Sequence, residues 1–234
     1  MPILRAGTGK LVAYFRHSEL YTLTAARRAL EANGVDLVFL PTSAMMYPPE
    51  FDTWVQTDVG SGRNEGTVRP HFFKGVATVC TKLFNIIQPD VVYFGQKDAQ
   101  QCVVIEHIVR DLNMDIQVAI VPTHRECDGL AMSSRNAYLS PDERALAPVL
   151  FKALSAGKAL IEERRCTSGS AACKAMREVL QEVPALDVQY ASCLHRSTLL
   201  DQESLTGQKE VLLAIAAVLG KTRLIDNVIV CIPA

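Results

Sequence analysis

Val91-Val92-Tyr93-Phe94-Gly95-Gln96-Lys97-Asp98 is a short run of β-branched and aromatic residues that ends in glycine and opens onto a polar, charged turn. Such a run reads as a strand covered on both faces, the kind buried between helices in a parallel sheet. Upstream, Phe73 to Ile87 carries Val76, Val79, Cys80, Leu83 and Ile87 at helical spacing, and Pro89 stops it. Downstream, Asp98 to Leu112 is a helix with Val103, Val104, Ile108 and Leu112 inward, and Ile116 to Val121 is the next strand. Further back, Val35 to Leu40 reads as another covered strand closed by Pro41, preceded by a helix from Leu20 to Ala32 that Asn33-Gly34 ends. Strands and helices alternating with short links predict an α/β doubly wound parallel sheet, whose ligands sit at the carboxyl ends of the strands. Thr42 to Pro70 is irregular, punctuated by Pro48-Pro49, Gly60, Gly62 and Gly66, and a loop of that length is functional or mobile.

After Pro122 the texture changes. A loop from Thr123 to Leu139 leads to Ser140-Pro141-Asp142-Glu143, a capping box with proline at the first helical position. The helix it opens has Leu146, Leu150, Leu154 and Ile161 as its core stripe, and a second carries Cys173, Met176, Leu180 and Val183. Three strand-like segments follow, Val188 to Leu194, Val211 to Leu219 and Leu224 to Ile232. Helices first and strands afterwards predict a smaller α+β domain.

The 234 residues suit one large domain or two small ones, and at 49% hydrophobic they can bury a real core. A formal charge of −1 with 21% charged residues excludes a global basic field for nucleic acid or an anionic membrane. No stretch reaches the ~18 apolar residues that a spanning helix needs. Cys80, Cys102, Cys127, Cys166, Cys173, Cys193 and Cys231 are scattered and form no Cys-x-x-Cys, so they read as small buried hydrophobes in a reducing compartment. The N-terminus lacks the long apolar core of a signal peptide, which makes a cytoplasmic location the expectation.

Two polar clusters stand at the ends of strands. In the first, Gly95-Gln96-Lys97-Asp98 with Gln100 and Gln101 opens a helix whose unpaired N–H groups and positive dipole end favour an anion, while Lys97 adds a point charge. Asp98 suits Mg²⁺ or a ribose or adenine group better than phosphate; alternatively it caps its helix, with Lys97 a solvated charge. In the second, Asp128-Gly129-Leu130-Ala131-Met132-Ser133-Ser134-Arg135-Asn136 sets two hydroxyls before an arginine on a glycine-containing loop, which can wrap a polyphosphate. The same loop can instead be a polar turn in which Ser133 and Ser134 bond their own backbone.

At these clusters the chain resembles the pantoate–β-alanine ligases, the pantothenate synthetase family. The resemblance runs through Val91 to Gln101 and Pro122 to Ser140, through Arg69-Pro70 leading to Gly75 to Asn85, and through Gly220-Lys221-Thr222-Arg223-Leu224-Ile225-Asp226-Asn227. It covers the chain from about Val35 to its end. It implies a two-step ligation in coenzyme A biosynthesis. Pantoate carboxylate attacks the α-phosphate of ATP, pyrophosphate leaves, and the β-alanine amine attacks the pantoyl adenylate to give pantothenate and AMP. Lys97, Ser133, Ser134 and Arg135 are then the catalytic groups. Gly95, Gln96, Lys97, Asp98, His124, Met132, Ser133, Ser134 and Arg135 contact ATP, His124 through its backbone, and Asp98 faces Mg²⁺. Met132 to Arg135 correspond to a flexible phosphate-binding signature related to the KMSKS loop of aminoacyl-tRNA synthetases. Gln101 binds pantoate, and Val76, Val79 and Cys80 stand where the family's apolar wall takes its gem-dimethyl group, although periodicity alone also fits them as core. Cys80 replaces the expected valine, a nearly volume-conserving change. The resemblance further implies a homodimer, a nucleotide- and pantoate-binding domain over 1–123, and a C-terminal domain over 124–234 carrying the flexible loop.

The family also begins with a strand and a His-x-Gly-His loop that holds the ATP phosphates, and no such motif occurs among these 234 residues. Met1 to Ala32 offers only Phe15-Arg16-His17-Ser18-Glu19-Leu20, where His17 reads as a surface residue. The expectation is therefore an incomplete sheet lacking its central strand, with apolar edges exposed. Arg69-Pro70-His71-Phe72 has its histidine one place from the family's Gly-His, so His71 is not assigned a catalytic role. An alternative reading is a homologue that binds ATP or dimerises without ligating. A third is a truncated product that folds poorly by itself.

Overall fold

The structure is a computed structural model that describes residues 3–6, 11–14, 23–59, 64–68 and 71–233. It divides into two compact units, residues 1–95 with 100–121 and residues 96–99 with 122–234. Phe15 to Leu20 with His17, Gly60, Gly62 and Arg69-Pro70 lie outside the described residues.

The first unit holds β1 (Ile3–Ala6), β2 (Leu11–Tyr14), α1 (Leu23–Ala32), β3 (Leu37–Phe39), α2 (Ser43–Met46), α3 (Glu65–Val68), α4 (Phe72–Ile87), β4 (Pro89–Gly95), α5 (Ala99–Asp111) and β5 (Gln117–Val121). Its five-stranded sheet runs β3-β2-β1-β4-β5. β2 pairs parallel to β3 and β4 parallel to β5, while β1 pairs antiparallel to both β2 and β4. β2, β3, β4 and β5 therefore share one direction, as the alternating pattern predicts, and among the described strands of this sheet β1 alone runs against them. The interval between β3 and β4, where the sequence pattern expects a missing strand, is filled by the pair β2 and β1. Strands so close in sequence can pair only as a hairpin, since a parallel crossover needs about a dozen residues or more.

The core of this unit lies between α4, α5 and the sheet, where Phe73, Ala77, Leu83, Phe84, Val92, Phe94, Ile105 and Ile108 pack together. Residue Gln88 takes a left-handed conformation (φ 50°) that turns α4 into β4, with Pro89 as first strand residue. The irregular segment after β3 is strapped to α4: Thr78 Oγ1 accepts from Val55 N at 3.0 Å and donates to Lys74 O at 2.8 Å.

In this unit three segments differ from the pattern read in the sequence. β3 is an edge strand, with Leu37 57% and Val38 38% exposed, so Val35 to Leu40 is not covered on both faces. A brief apolar run does not say whether its strand is central or terminal. Within Val91 to Phe94 of β4, Val92 and Phe94 are buried on one face, whereas Val91 and Tyr93 are half-buried on the other. Leu112 is 49% exposed because α5 ends at Asp111 and Asn113 turns left-handed, so the helical spacing runs one step past its helix.

The second unit contains α6 (Pro141–Leu146), α7 (Val149–Glu162), α8 (Gly169–Leu180), β6 (Leu186–His195), β7 (Glu210–Leu219) and β8 (Thr222–Cys231). The strands form an antiparallel sheet in the order β6-β7-β8. Leu150, Leu154 and Ile161 of α7 with Met176 and Leu180 of α8 bury against it in one core. The capping box forms with both bonds, Glu143 N to Ser140 Oγ at 3.3 Å and Ser140 N to Glu143 Oε2 at 2.8 Å. The single long helix expected here is two, because Pro148 caps the second; Leu146 ends the first and is 39% exposed rather than in the stripe. All seven cysteines are free thiols; Cys127 and Cys231 are exposed, against the reading of every cysteine as buried.

Candidate active site

The polar turn after β4 is a single 3-10 turn, Gln96–Asp98, and it packs within the second unit. β8 holds it. The buried Asn227 carboxamide donates from Nδ2 to Gln96 O and to Lys97 O, both at 2.9 Å, and Gln96 Nε2 donates to Asn227 Oδ1 at 3.4 Å. Next to it, Asp226 is 4% exposed and receives both arms of Arg125, Nη1 at 2.6 Å and Nη2 at 2.9 Å. A bidentate fork of this kind is the strongest way to neutralise a buried carboxylate. Burial raises the Asp226 pKa above the usual carboxylate value, while the Arg125 guanidinium, and at longer range the Lys97 ammonium, act to lower it.

Arg125 also ties the second polar cluster to the same strand. Its Nη1 donates to Gly129 O at 3.0 Å and its Nη2 to Asn227 O at 3.3 Å, while the guanidinium lies 4.0 Å over the Phe151 ring. Gly129 sits at φ +92° with the Phe151 ring against the place a side chain would occupy, so only glycine fits. Met132 N donates to His124 O at 2.9 Å and Arg125 bridges Ala131, so the two ends of the loop close like a hairpin. On the outer side, Arg144 of α6 donates to Asp128 Oδ2 at 2.6 Å and Glu126 Oε2 at 2.7 Å. Its guanidinium holds both carboxyls below their usual pKa, and they raise its own.

Between these two clusters lies a narrow pocket lined by Lys97, Leu130, Ala131, Ser133, Asn136, Leu150, Arg223, Leu224, Ile225 and Asp226. Asn136 Nδ2 donates to Ala131 O and Glu126 Oε1, and its Oδ1 is buried without a donor. Lys97, Arg223 and the Ser133 hydroxyl line it beside an apolar wall, and the Asp226 carboxylate there is paired with Arg125, a set that suits an anionic oxygen.

Of the residues singled out from sequence, Lys97 and Ser133 share this pocket. Ser133 Oγ accepts from Arg135 N at 3.2 Å, the local backbone bond that the alternative reading of the loop describes. Met132, Ser134 and Arg135 continue the loop but do not line the pocket; Met132 and Ser134 are exposed. Asp98 is exposed; His124 is exposed too, and its carbonyl is taken by Met132. Gly95, Gln101, Val76, Val79 and Cys80 belong to the first unit. There Gln101 is half-buried on α5, and α4 presents Val76 and Val79 half-buried and Cys80 buried, burial pushing that thiol up to about 12. His71 is exposed at the N-terminus of α4 and makes no capping bond. Arg125, Arg223, Asp226 and Asn227 carry no role in the reading from sequence. The signal lies in Leu224 to Ile229, where Asp226-Asn227 interrupts an apolar strand that has no need of a polar pair.

The family model for pantoate-beta-alanine ligase matches residues 19–229, which takes in both clusters and β8. The chain belongs to the pantoate–β-alanine ligase family. A pantothenate synthetase from Chloroflexus aggregans is 50% identical over 200 residues, 85% of this chain and 71% of that protein. One from Herpetosiphon aurantiacus is 47% identical over 200 residues, 86% of this chain and 72% of that protein. The crystal structure of pantothenate synthetase from Thermus thermophilus superimposes with a TM-score of 0.83 at 41% identity, over 96% of this chain and 79% of that one. The Francisella tularensis pantoate–β-alanine ligase, solved with β-γ ATP and β-alanine, shares the fold at a TM-score of 0.70 and 23% identity, over 93% of this chain and 78% of that one. A pantoate–β-alanine ligase is a C–N bond-forming ligase. Among the described residues no helix is long and apolar enough to cross a membrane.

Proposed function

We propose that this chain condenses pantoate with β-alanine, using ATP and releasing AMP and pyrophosphate through a pantoyl adenylate. The observation that carries the reading is the pocket in which Lys97 and Ser133 meet, within a chain matched to the ligase family over residues 19–229. The chemical difficulty is charge, because a carboxylate must approach a triphosphate and pyrophosphate must leave. Lys97 supplies a point charge at the transferring phosphate and Arg135 grips two oxygens of the leaving group, with the Ser133 and Ser134 hydroxyls as neutral donors. Gly95, Gln96 and Met132 contact the nucleotide, and His124 does so through its backbone. Gln101 binds pantoate, and Val76, Val79 and Cys80 form the wall for its methyl groups; the raised Cys80 pKa keeps that thiol neutral and inert there.

Asp98 is the residue proposed to meet Mg²⁺. Among the described residues no three acidic, histidine or cysteine side chains gather as a cage, and Mg²⁺ with ATP needs only one or two carboxylates because phosphates and water fill the rest. When bound, the ion would neutralise phosphate charge. A homodimer and a cytoplasmic setting complete the reading.

Titration of the purified protein with Mg-ATP, then pantoate and β-alanine with AMP detection in the same sample, tests it. Binding with AMP release is the expected result, and Lys97→Ala and Arg135→Ala should each weaken ATP by at least about tenfold, the size of a lost charged hydrogen bond. Unchanged affinity in both variants would show the site to be elsewhere. A second reading, ATP binding without ligation, draws on the sheet: near the carboxyl end of β4, at Tyr93, stands the start of the antiparallel β1 rather than the carboxyl end of a parallel strand with its loop. Binding without AMP would select it.

A further inference from the structure

We infer that Asn227 is a positioning residue that aims Lys97, an inference that rests on the ATP site proposed above. A planar peptide leaves a residue only two soft dihedrals, so fixing the peptide planes on both sides of one Cα fixes the direction of its Cα–Cβ bond. The carbonyl of Gln96 belongs to the plane before the Lys97 Cα and the carbonyl of Lys97 to the plane after it. Asn227 Nδ2 holds both at 2.9 Å, and Gln96 Nε2 closes the ring onto Asn227 Oδ1 at 3.4 Å.

The carboxamide is itself fixed. Asn227 is 3% exposed; its backbone N–H donates to Asp226 Oδ1 at 2.8 Å, its carbonyl receives Arg125 Nη2 at 3.3 Å, and β7 pairs it with Ala214. Arg125 occupies both oxygens of Asp226, the carboxylate next to Asn227. Asparagine alone among the common side chains of its size offers two donors and an acceptor in one plane. Aspartate would face two carbonyl oxygens with no proton to give, and leucine would leave both carbonyls unmet. A lysine on a four-carbon stem rooted in an unpinned turn would reach phosphate by chance, and a misplacement of 1 Å costs about 10²-fold in rate.

The test is a double-mutant cycle between Asn227 and Lys97, read by Mg-ATP titration and, in parallel, by AMP formation. Asn227→Ala should weaken ATP about tenfold and lower kcat/KM for ATP by about 10²-fold, with KM for β-alanine unmoved. In the Lys97→Ala background the same change should weaken ATP by less than about twofold, since there is no ammonium left to aim. Asn227→Ser, smaller and still a donor, is run beside it and should fall between wild type and Asn227→Ala. Equal losses in both backgrounds would make Asn227 a merely structural residue and overturn the inference, as would failure of both variants to fold. ATP binding without AMP in the wild type would remove the ligase reading yet leave the binding cycle decisive. No ATP binding in the wild type would overturn the site and this inference together.

Discussion

The turn at Gln96–Asp98 and the loop at Asp128–Asn136 are both polar segments of the proposed ATP site, and they are fastened in opposite ways. The turn is gripped at its backbone by a buried carboxamide, leaving little freedom for the residue in the middle. The loop is gripped at its base, where Arg125 and Arg144 take Gly129 O, Glu126 and Asp128. Past the point where Met132 N closes on His124 O, the side chains of Met132 and Ser134 stay exposed, with a local bond from Arg135 N to Ser133 Oγ. If both serve the proposed ATP site, the turn is in place before ligand arrives and the exposed side chains of the loop are the part left to adapt.

The sharpest way to break this contrast is to remove what both halves share. Arg125→Ala strands the buried Asp226, and breaking a buried pair from one side costs about 3–5 kcal/mol. Urea unfolding should show that loss, and Arg125→Lys, which keeps the charge without the fork, should lose less. A loss under ~1 kcal/mol would mean that the two halves are not fastened through Arg125 at all. Gly129→Ala comes next. It puts a side chain at φ +92° against the Phe151 ring, and strain of that kind costs about 1–3 kcal/mol, to be read as a lower Tm. If the loop base is the fixed part, that variant should weaken ATP as well, whereas Met132→Ala, which removes only an exposed side chain, should leave Tm unmoved.

The smallest effect concerns pH. Glu126 and Asp128 titrate below their usual values because Arg144 bonds them, so the stability they add is present above the ordinary carboxylate pKa of ~4 and fades as pH falls through their lowered values. The difference in Tm between wild type and Arg144→Met should therefore shrink from pH 7 to pH 3. It should be small throughout, since these groups are open to solvent. A difference that grew on acidification would mean that the tie is not ionic.

What can be read from sequence is whatever is local. The capping box at Ser140 to Glu143, the left-handed stop at Gly34, the strand before Gly95 and the three strand segments of the second unit depend on neighbours within a turn or two, and they are all present. The exposure of β3 is not legible, because an edge strand and a central one differ in what lies beside them and not in their own residues. Leu146, Leu150 and Leu154 keep a four-residue spacing straight across Pro148, since Ala147 and Pro148 stay in the right-handed helical region and the break leaves no gap in the pattern. In the site, Lys97 and Ser133 are legible from residue type and context. The groups that hold them are not, because Arg125 meets Asp226 across 101 residues and Gln96 meets Asn227 across 131. Contacts of that span follow from how the sheets are assembled, and no periodicity reports them.

The second unit borrows residues 96–99 from the middle of the first and returns the chain at Gln100. It therefore cannot be excised as a contiguous piece of the gene. Expressed by itself, 122–234 would lack the turn that Asn227 holds, and water would take the place of the Gln96 and Lys97 carbonyls at its carboxamide. The chain also crosses between the units at Gly95, at Ala99 and again at Val121, so a protease cut at any one of these places leaves two peptide connections intact. A fusion or insertion that respects only the last crossing would inherit a ligase fragment with its key lysine left behind.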